Sequence, residues 1–454
     1  MDALNEIPEP VLTTPAVDSS GERHGDLPSA DSAYASLAAP IQRNRPVRRR
    51  WVLWVLLALP LGCAAYGFAY FNRPTVAYRR ALKALGQDDF DTARYELLRL
   101  RGLPEFDPHA SLINGILLLQ EQKVDNALEE FRLASDHTDT RVLALTLAGR
   151  TLLGQRQFVR GERALLMALQ YDPNMAEAHF ALGAAYCDFG DFRRSLMHLE
   201  KAAELAPPDP RPYQLMAEIH QKFGKDELAI KDLREFLRRG TDSARLSPRA
   251  RQNALLDMAQ LQSKLLRPQE AIDTLKDVEE SADSLAVLAE SQFASGNLEA
   301  ARDYVDRALR LDPDEFEALV LHGRLAMEAK DATSALDSLN RALRLRPRNP
   351  ALHHLLSQVL HAEGRDDLAE KHTKEHEYLG ELTGEYDELL GSARDEPWNA
   401  LTCYRLGLLA ERLGMENEAA GWYRAVLLVD PGHLNARNHL SNLPGGVAHV
   451  GVQP

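Results

Sequence analysis

The stretch AEAHFALGAAYCDFGDFRRSLMHLEKAAELAPPD, residues 176–209, decides how the rest of the chain is read. Its phrase returns in ADSLAVLAESQFASGNLEAARDYVDRALRLDPDE, residues 282–315, and in ALTCYRLGLLAERLGMENEAAGWYRAVLLVDPGH, residues 400–433. Each copy is 34 residues long. Counting within the unit, position 8 is small (Gly183, Ala289, Gly407) and position 15 is glycine (Gly190, Gly296, Gly414). Position 20 is small again (Ser195, Ala301, Ala419), as is position 27 in two of three copies (Ala202, Ala308, Val426). Position 32 is proline (Pro207, Pro313, Pro431). Apolar residues at positions 4, 7 and 11, such as Leu285 and Leu288, fall on one stripe of a helix. Glycine at 15 ends that helix, and Asp-Pro at 31–32 ends a second one.

These residues resemble the tetratricopeptide repeat (TPR) family, whose unit is two antiparallel helices. The resemblance implies an all-α fold, a right-handed superhelical α-solenoid with a concave groove lined by the first helix of each pair. About ten units tile residues 74–443, with an insertion near 244–251, a short unit at 252–281 and a long second helix running to about Gly391. A flexible tail, 444–454, is expected to follow. The repeat replaces the three domains that a length of 454 residues suggests at roughly 150 residues each. Two units depart from the pattern: in 350–383, Thr373 stands at position 24 and His376 at position 27, and in 210–243, Phe236 stands at 27.

Upstream of the repeats the chain changes character twice. Residues 1–40 carry seven acids and one base, whereas 41–73 carry six arginines and no acid, so the net charge of −14 belongs to 74–454. Residues 1–50 are rich in Pro, Ser, Ala and Asp without apolar periodicity and are expected to be a disordered arm. Residues 51–71, WVLWVLLALPLGCAAYGFAYF, contain no charge over 21 positions, a length that spans a bilayer core of about 30 Å as a helix. This segment is expected to be one N-terminal transmembrane helix. Arg43, Arg45, Arg48, Arg49 and Arg50 precede it directly. By the positive-inside rule they place the N-terminus in the cytoplasm and the repeats outside, as a single-pass protein of an inner (plasma) membrane. The long preceding arm argues for an uncleaved anchor over a signal peptide. Small residues at Ala58/Gly62 and Cys63/Gly67 have the spacing of helix dimers and admit a homo-oligomer.

Within the groove, positions 2, 5, 9 and 12 are expected to face the partner. They read Leu112, Ile116, Leu119 and Phe180 early, then Gln214, Glu218, Gln221, Gln260 and Glu290, then Arg324, His354, Gln358 and His361. The apolar set fits docking of a peptide or helix equally with packing against the next unit. His353, His354, His361, His372 and His376 fall within 24 residues, and His372 and His376 share a helix face as metal ligands can. No third ligand is identifiable from order alone, so ordinary polar or packing histidines are the expectation. Cys187 and Cys403 read as small apolar fillers. No nucleotide-binding loop, nucleophile elbow or zinc-protease motif occurs, and no segment outside the repeats could hold an enzyme domain. Acidic balance argues against nucleic acid. The sequence therefore points to a non-enzymatic, cofactor-free scaffold that binds protein partners and organises a bacterial cell-envelope complex. The alternatives are a subunit embedded permanently in a large membrane complex, or a metal- or cofactor-handling protein using His353–His376.

Overall fold

A computed structural model describes residues 73–242, 246–395 and 399–444. The described residues form helices joined by short turns and one 3₁₀ segment, with no strand among them. The chain divides into two compact units, Met1–Thr140 and Arg141–Pro454. The expected membrane segment 51–71, its flanking arginines, the arm before them and nearly all of the C-terminal tail lie outside the described residues. Among the described residues, no helix is long and apolar enough to cross a membrane.

In the first unit, α1 (Pro74–Gly86) pairs with α2 (Phe90–Leu100), and α3 (Asp107–Gln120) pairs with α4 (Val124–Ala134). Helix α5 (Thr138–Gly154) follows, and the second unit continues with α6 (Phe158–Tyr171), α7 (Ala176–Asp188) and α8 (Phe192–Leu205). Next come α9 (Arg211–Lys222), α10 (Asp226–Asp242), α11 (Pro248–Lys264), the short α12 (Pro268–Leu275), α13 (Ala282–Ala294) and α14 (Leu298–Leu311). The last are α15 (Phe316–Glu328), α16 (Ala332–Leu345), α17 (Pro350–Ala362), α18 (Asp366–Asp395), α19 (Ala400–Arg412), α20 (Glu416–Val429) and α21 (Leu434–Asn442). The insertion is partly absorbed by lengthening α11 at its N-terminus, where the Ser247 hydroxyl accepts the Ala250 amide N–H. Helix α18 runs 30 residues, four beyond the expected Gly391.

Two contacts make each pair. The first is the turn at position 15. Its φ is positive in Gly190, Gly224, Gly296, Gly364 and Gly414, and also in Asp88, Gln122, Arg156, Leu266 and Lys330. In each case the next amide N–H donates back to the carbonyl of position 11, at 2.8–2.9 Å. This left-handed closure satisfies a carbonyl that the helix end leaves open. The Cβ-bearing residues adopt it at a cost of about 1–2 kcal/mol each. Leu266, 81% exposed, makes no packing contribution to offset that cost. Leu266→Gly is therefore expected to raise stability by about 0.5–1 kcal/mol, read as a higher urea midpoint.

The second contact joins position 8 to position 24. A Cβ built on Gly115 would lie 2.5 Å from the Phe131 ring, and on Gly183 2.7 Å from Leu199. On Gly149, Gly323 and Gly407 it would lie 2.6, 2.7 and 2.6 Å from Leu165, Leu339 and Tyr423. The small residue lets the second helix approach until its position-24 side chain rests on the first helix backbone. In 350–383 both positions change together: Ser357 and Thr373 share a hydroxyl hydrogen bond of 2.7 Å. The polar residue at position 24 is thus satisfied in place. The unusual His376 likewise hydrogen-bonds the Pro350 carbonyl through Nδ1, at 3.0 Å. Phe236, at position 27, is simply buried in the core. Asp172, Asp312 and Asp430 close the second helices: each carboxylate accepts the amide N–H two residues on, at 2.9–3.0 Å.

Candidate partner-binding surface

The positions on the first helix of each pair (helix A, the second being helix B) that the sequence assigns to a groove separate into two classes. Leu112 is 0% and Ile116 4% exposed, Leu119 is half-buried, and Phe180 is half-buried under the Arg211 guanidinium, 4.3 Å from the ring centroid. The apolar pair Leu112 and Ile116 is interior packing, the second of the two readings that the sequence leaves open. Apolar side chains at these positions bury themselves against neighbouring helices because that removes them from water. Gln214, Glu218, Gln221, Gln260, His354, Gln358 and His361 are exposed. Several are engaged: Gln214 donates to Glu218 at 3.3 Å and Gln358 pairs with His354 at 2.9 Å along their own helices, and His361 pairs with Asp366 at the start of the next helix at 2.7 Å. Glu290 and Arg324, 34 residues apart, form an ion pair with both carboxylate oxygens at 2.9 Å. Arg324 also lies over the Phe293 ring at 4.4 Å. That pair ties one repeat to the next.

Beside the exposed glutamines, Asp188, Glu218 and Asp257 also reach the surface, so the burial that acts on them is the partial loss of water beside neighbouring helices. Burial raises Asp188 on α7, against the pull of Arg424 and Arg156. Burial also raises Glu218 on α9, and the like charges of Asp257 and Asp188 add to it against the Gln214 hydrogen bond. Burial raises Asp257 on α11. Each native acid therefore holds its proton more tightly than it would unfolded. Their contribution favours the fold at low pH and is lost as pH rises through the raised values. Asp257→Asn is expected to increase stability near pH 7 and to flatten its decline as pH rises above the ordinary carboxylate range, checked by urea titration at several pH values.

The histidines of 353–376 form two separate pairs, His353 with His372 and His354 with His376, with ring centroids 5.1 and 5.0 Å apart. His353 and His372 pair through Nδ1 at 2.9 Å, and His353 Nε2 donates to the Pro347 carbonyl at 3.0 Å. His179 and His198 repeat this arrangement at the same unit positions, 4 and 23, with Nδ1 atoms 2.9 Å apart and Nε2 on the Pro173 carbonyl. The arrangement belongs to a wider rule that the sequence reading missed. Position 23 carries a polar side chain that bonds helix A at position 4, 7 or 11. Further cases are Arg80–Glu96 at 3.5 Å, Asn114–Glu130 at 2.7 Å and His220–Asp232 at 2.7 Å. Gln262–Thr274 at 2.8 Å and His322–Ser338 at 2.7 Å complete them. Position 23 stays polar in seven units, a signal that was readable; its partner was hidden because it moves by one helical turn between units. His372 and His376 thus hydrogen-bond different protein groups, His353 and the Pro350 carbonyl. Cys187 and Cys403 are free thiols pushed up by burial to about 12, which makes poor nucleophiles of them.

Within the second unit the last repeat returns to the early ones. Trp422 on α20 lies against Gly190, and its ring is 5.9 Å from that of Phe192. Lys222 stands 5.8 Å from the Trp422 ring, and the indole N–H donates to Tyr386 on α18 at 3.1 Å. Leu428 packs with the Phe158–Tyr186 cluster. Arg348 donates to the Glu411 and Arg412 carbonyls at the end of α19, at 2.6 and 3.0 Å. The long α18 carries the chain far enough for this return.

A family model described as tetratricopeptide repeat matches residues 146–210, 256–316 and 320–376. No curated protein matches the chain. Among solved structures, a tetratricopeptide repeat protein from Parabacteroides merdae is 16% identical, covering 56% of this chain and 99% of its own, with a TM-score of 0.44. PilF of Pseudomonas aeruginosa is 20% identical, covering 50% and 99%, with a TM-score of 0.38. YrrB, described as a TPR protein with an unusual peptide-binding site, is 18% identical, covering 44% and 98%, with a TM-score of 0.34. Residues 146–210, 256–316 and 320–376 therefore carry tetratricopeptide repeats, built as helix pairs on the left-handed turn and the position 8–24 contact.

Proposed function

We propose that this chain is a membrane-anchored TPR scaffold that captures basic protein segments on the helix-A face of α9 and α11 and so organises a cell-envelope complex. TPR proteins bind peptides and proteins, and no motif of enzymatic chemistry competes with that use here. The observation that carries the reading is the acid group Asp188, Glu218 and Asp257 beside exposed Gln214, Gln221 and Gln260. The like charges of Asp188 and Asp257 raise Glu218, so a lysine or arginine brought among these accessible carboxylates relieves the repulsion. The polar neighbours supply donors and acceptors for a peptide backbone. Residues 51–71 provide the anchor, and the arginines before them direct the repeats away from the cytoplasm.

Two measurements test the proposal. Alkaline phosphatase fused after the repeats should be active in bacteria; a silent fusion, with an active cytoplasmic reporter at the same site, would reverse the orientation. Glu218→Lys should weaken capture of the isolated partner about tenfold or more and reduce its salt dependence. Unchanged capture would remove this face from the binding site.

A further inference from the structure

We propose that His109, His137 and Asp139 form a binding site for a divalent cation of the zinc type. Their ligand atoms lie within 4.8 Å of one another, and among the described residues they are the one such group of three. His109 sits in the first turn of α3, His137 in the turn between α4 and α5, and Asp139 in the first turn of α5. Where three repeats carry Asp-Pro at positions 31–32 (Asp172-Pro173, Asp312-Pro313 and Asp430-Pro431), this one has Thr138-Asp139 with His137 before it.

His109 is the decisive member. It is only 7% exposed, yet its Nδ1 has no hydrogen-bond partner. Buried polar atoms are nearly always paired, so an unpaired one asks for a ligand. The ring is held edge-on to Tyr78 at 4.6 Å and beside Phe106 at 5.2 Å, and the His137 ring lies 5.6 Å away. His353 and His372 make the contrast, since their facing nitrogens already satisfy one another.

Two imidazoles and one carboxylate are a donor set for zinc, with metal–ligand bonds of about 2.0–2.2 Å and a fourth position left for water. Asp139 is exposed, so a rotamer change can bring its carboxylate in. The existing contacts there are long: the Asp139 amide donates to His137 Nδ1 at 3.3 Å, and the Thr138 hydroxyl to the Asp139 carboxylate at 3.4 Å. A cation would stitch the start of α3 to the start of α5.

The test uses the purified full chain and Co²⁺ as a spectroscopic stand-in, with Zn²⁺ in competition. The expected result is one Co²⁺ per chain with visible absorption, displaced by Zn²⁺. His137→Ala and Asp139→Asn should each weaken binding by about tenfold or more, and His372→Ala should not. Zn²⁺ should also raise the unfolding temperature of the parent and of His372→Ala but not of the two site variants. Both site changes are at accessible positions, and far-UV circular dichroism checks that they fold. No stoichiometric Co²⁺, or Co²⁺ held equally by His137→Ala and Asp139→Asn, would overturn the proposal.

Discussion

Trp422→Ala is expected to lower stability by about 3–5 kcal/mol, the range for removing a large buried aromatic. The side chain is 4% exposed and joins three elements: it rests on Gly190 and Phe192, and its N–H serves the Tyr386 hydroxyl. Nothing nearby can fill the volume, because the Gly190 side is backbone and Phe192 is already packed against Phe223. The loss should also be local. Hydrogen exchange should speed in α20 and in the turn after α7, while the first compact unit keeps its protection. Uniform acceleration throughout the chain would mean that the return of the last repeat is not a separable contact.

Gly407→Ala is the second large effect, a net loss of about 1–2 kcal/mol. The added methyl would lie 2.6 Å from the Tyr423 ring. Tyr423 is fully buried, and its hydroxyl donates to Glu411 at 2.7 Å, so the ring cannot withdraw without breaking that bond. Overpacking costs about 1–3 kcal/mol, whereas alanine in place of glycine in a helix gains at most about 1. The first term therefore wins. Ala289→Gly, at the same unit position opposite the smaller Val305, should lose about 1 kcal/mol for the opposite reason, lowered helix propensity. Thermal unfolding of the two variants side by side separates the terms. A neutral Gly407→Ala would show that the helix pair has slack the geometry denies.

The helix pairs were legible because the repeat prints its own punctuation. Gly190, Gly296 and Gly414 announce the position-15 turn, and once the period is set, Leu266 and Lys330 must occupy the same backbone state despite their side chains. Their own chemistry gives no such hint, since register overrides local preference. Leu112 and Ile116 were ambiguous for a physical reason: an apolar residue beside a groove has the same sequence signature whether it is covered or open. The contact of Trp422 with Gly190 could not be read at all. It joins positions more than 200 residues apart, and only the path of α18 brings them together. The His109–His137–Asp139 group escaped for a related reason, because its members are separated by a whole helix pair while the histidine-rich run at 353–376 drew the eye by density alone.

The most direct test of the scaffold reading is photo-cross-linking in intact membranes. A photoreactive amino acid is placed at Gln214 or Gln260 on the helix-A face, and at exposed Arg234 or Glu299 on helix B as controls. The account expects discrete protein adducts from the helix-A positions, lost when Glu218→Lys is added, and none from the controls. Adducts of equal yield from both faces, or none from Gln214 and Gln260, would contradict it.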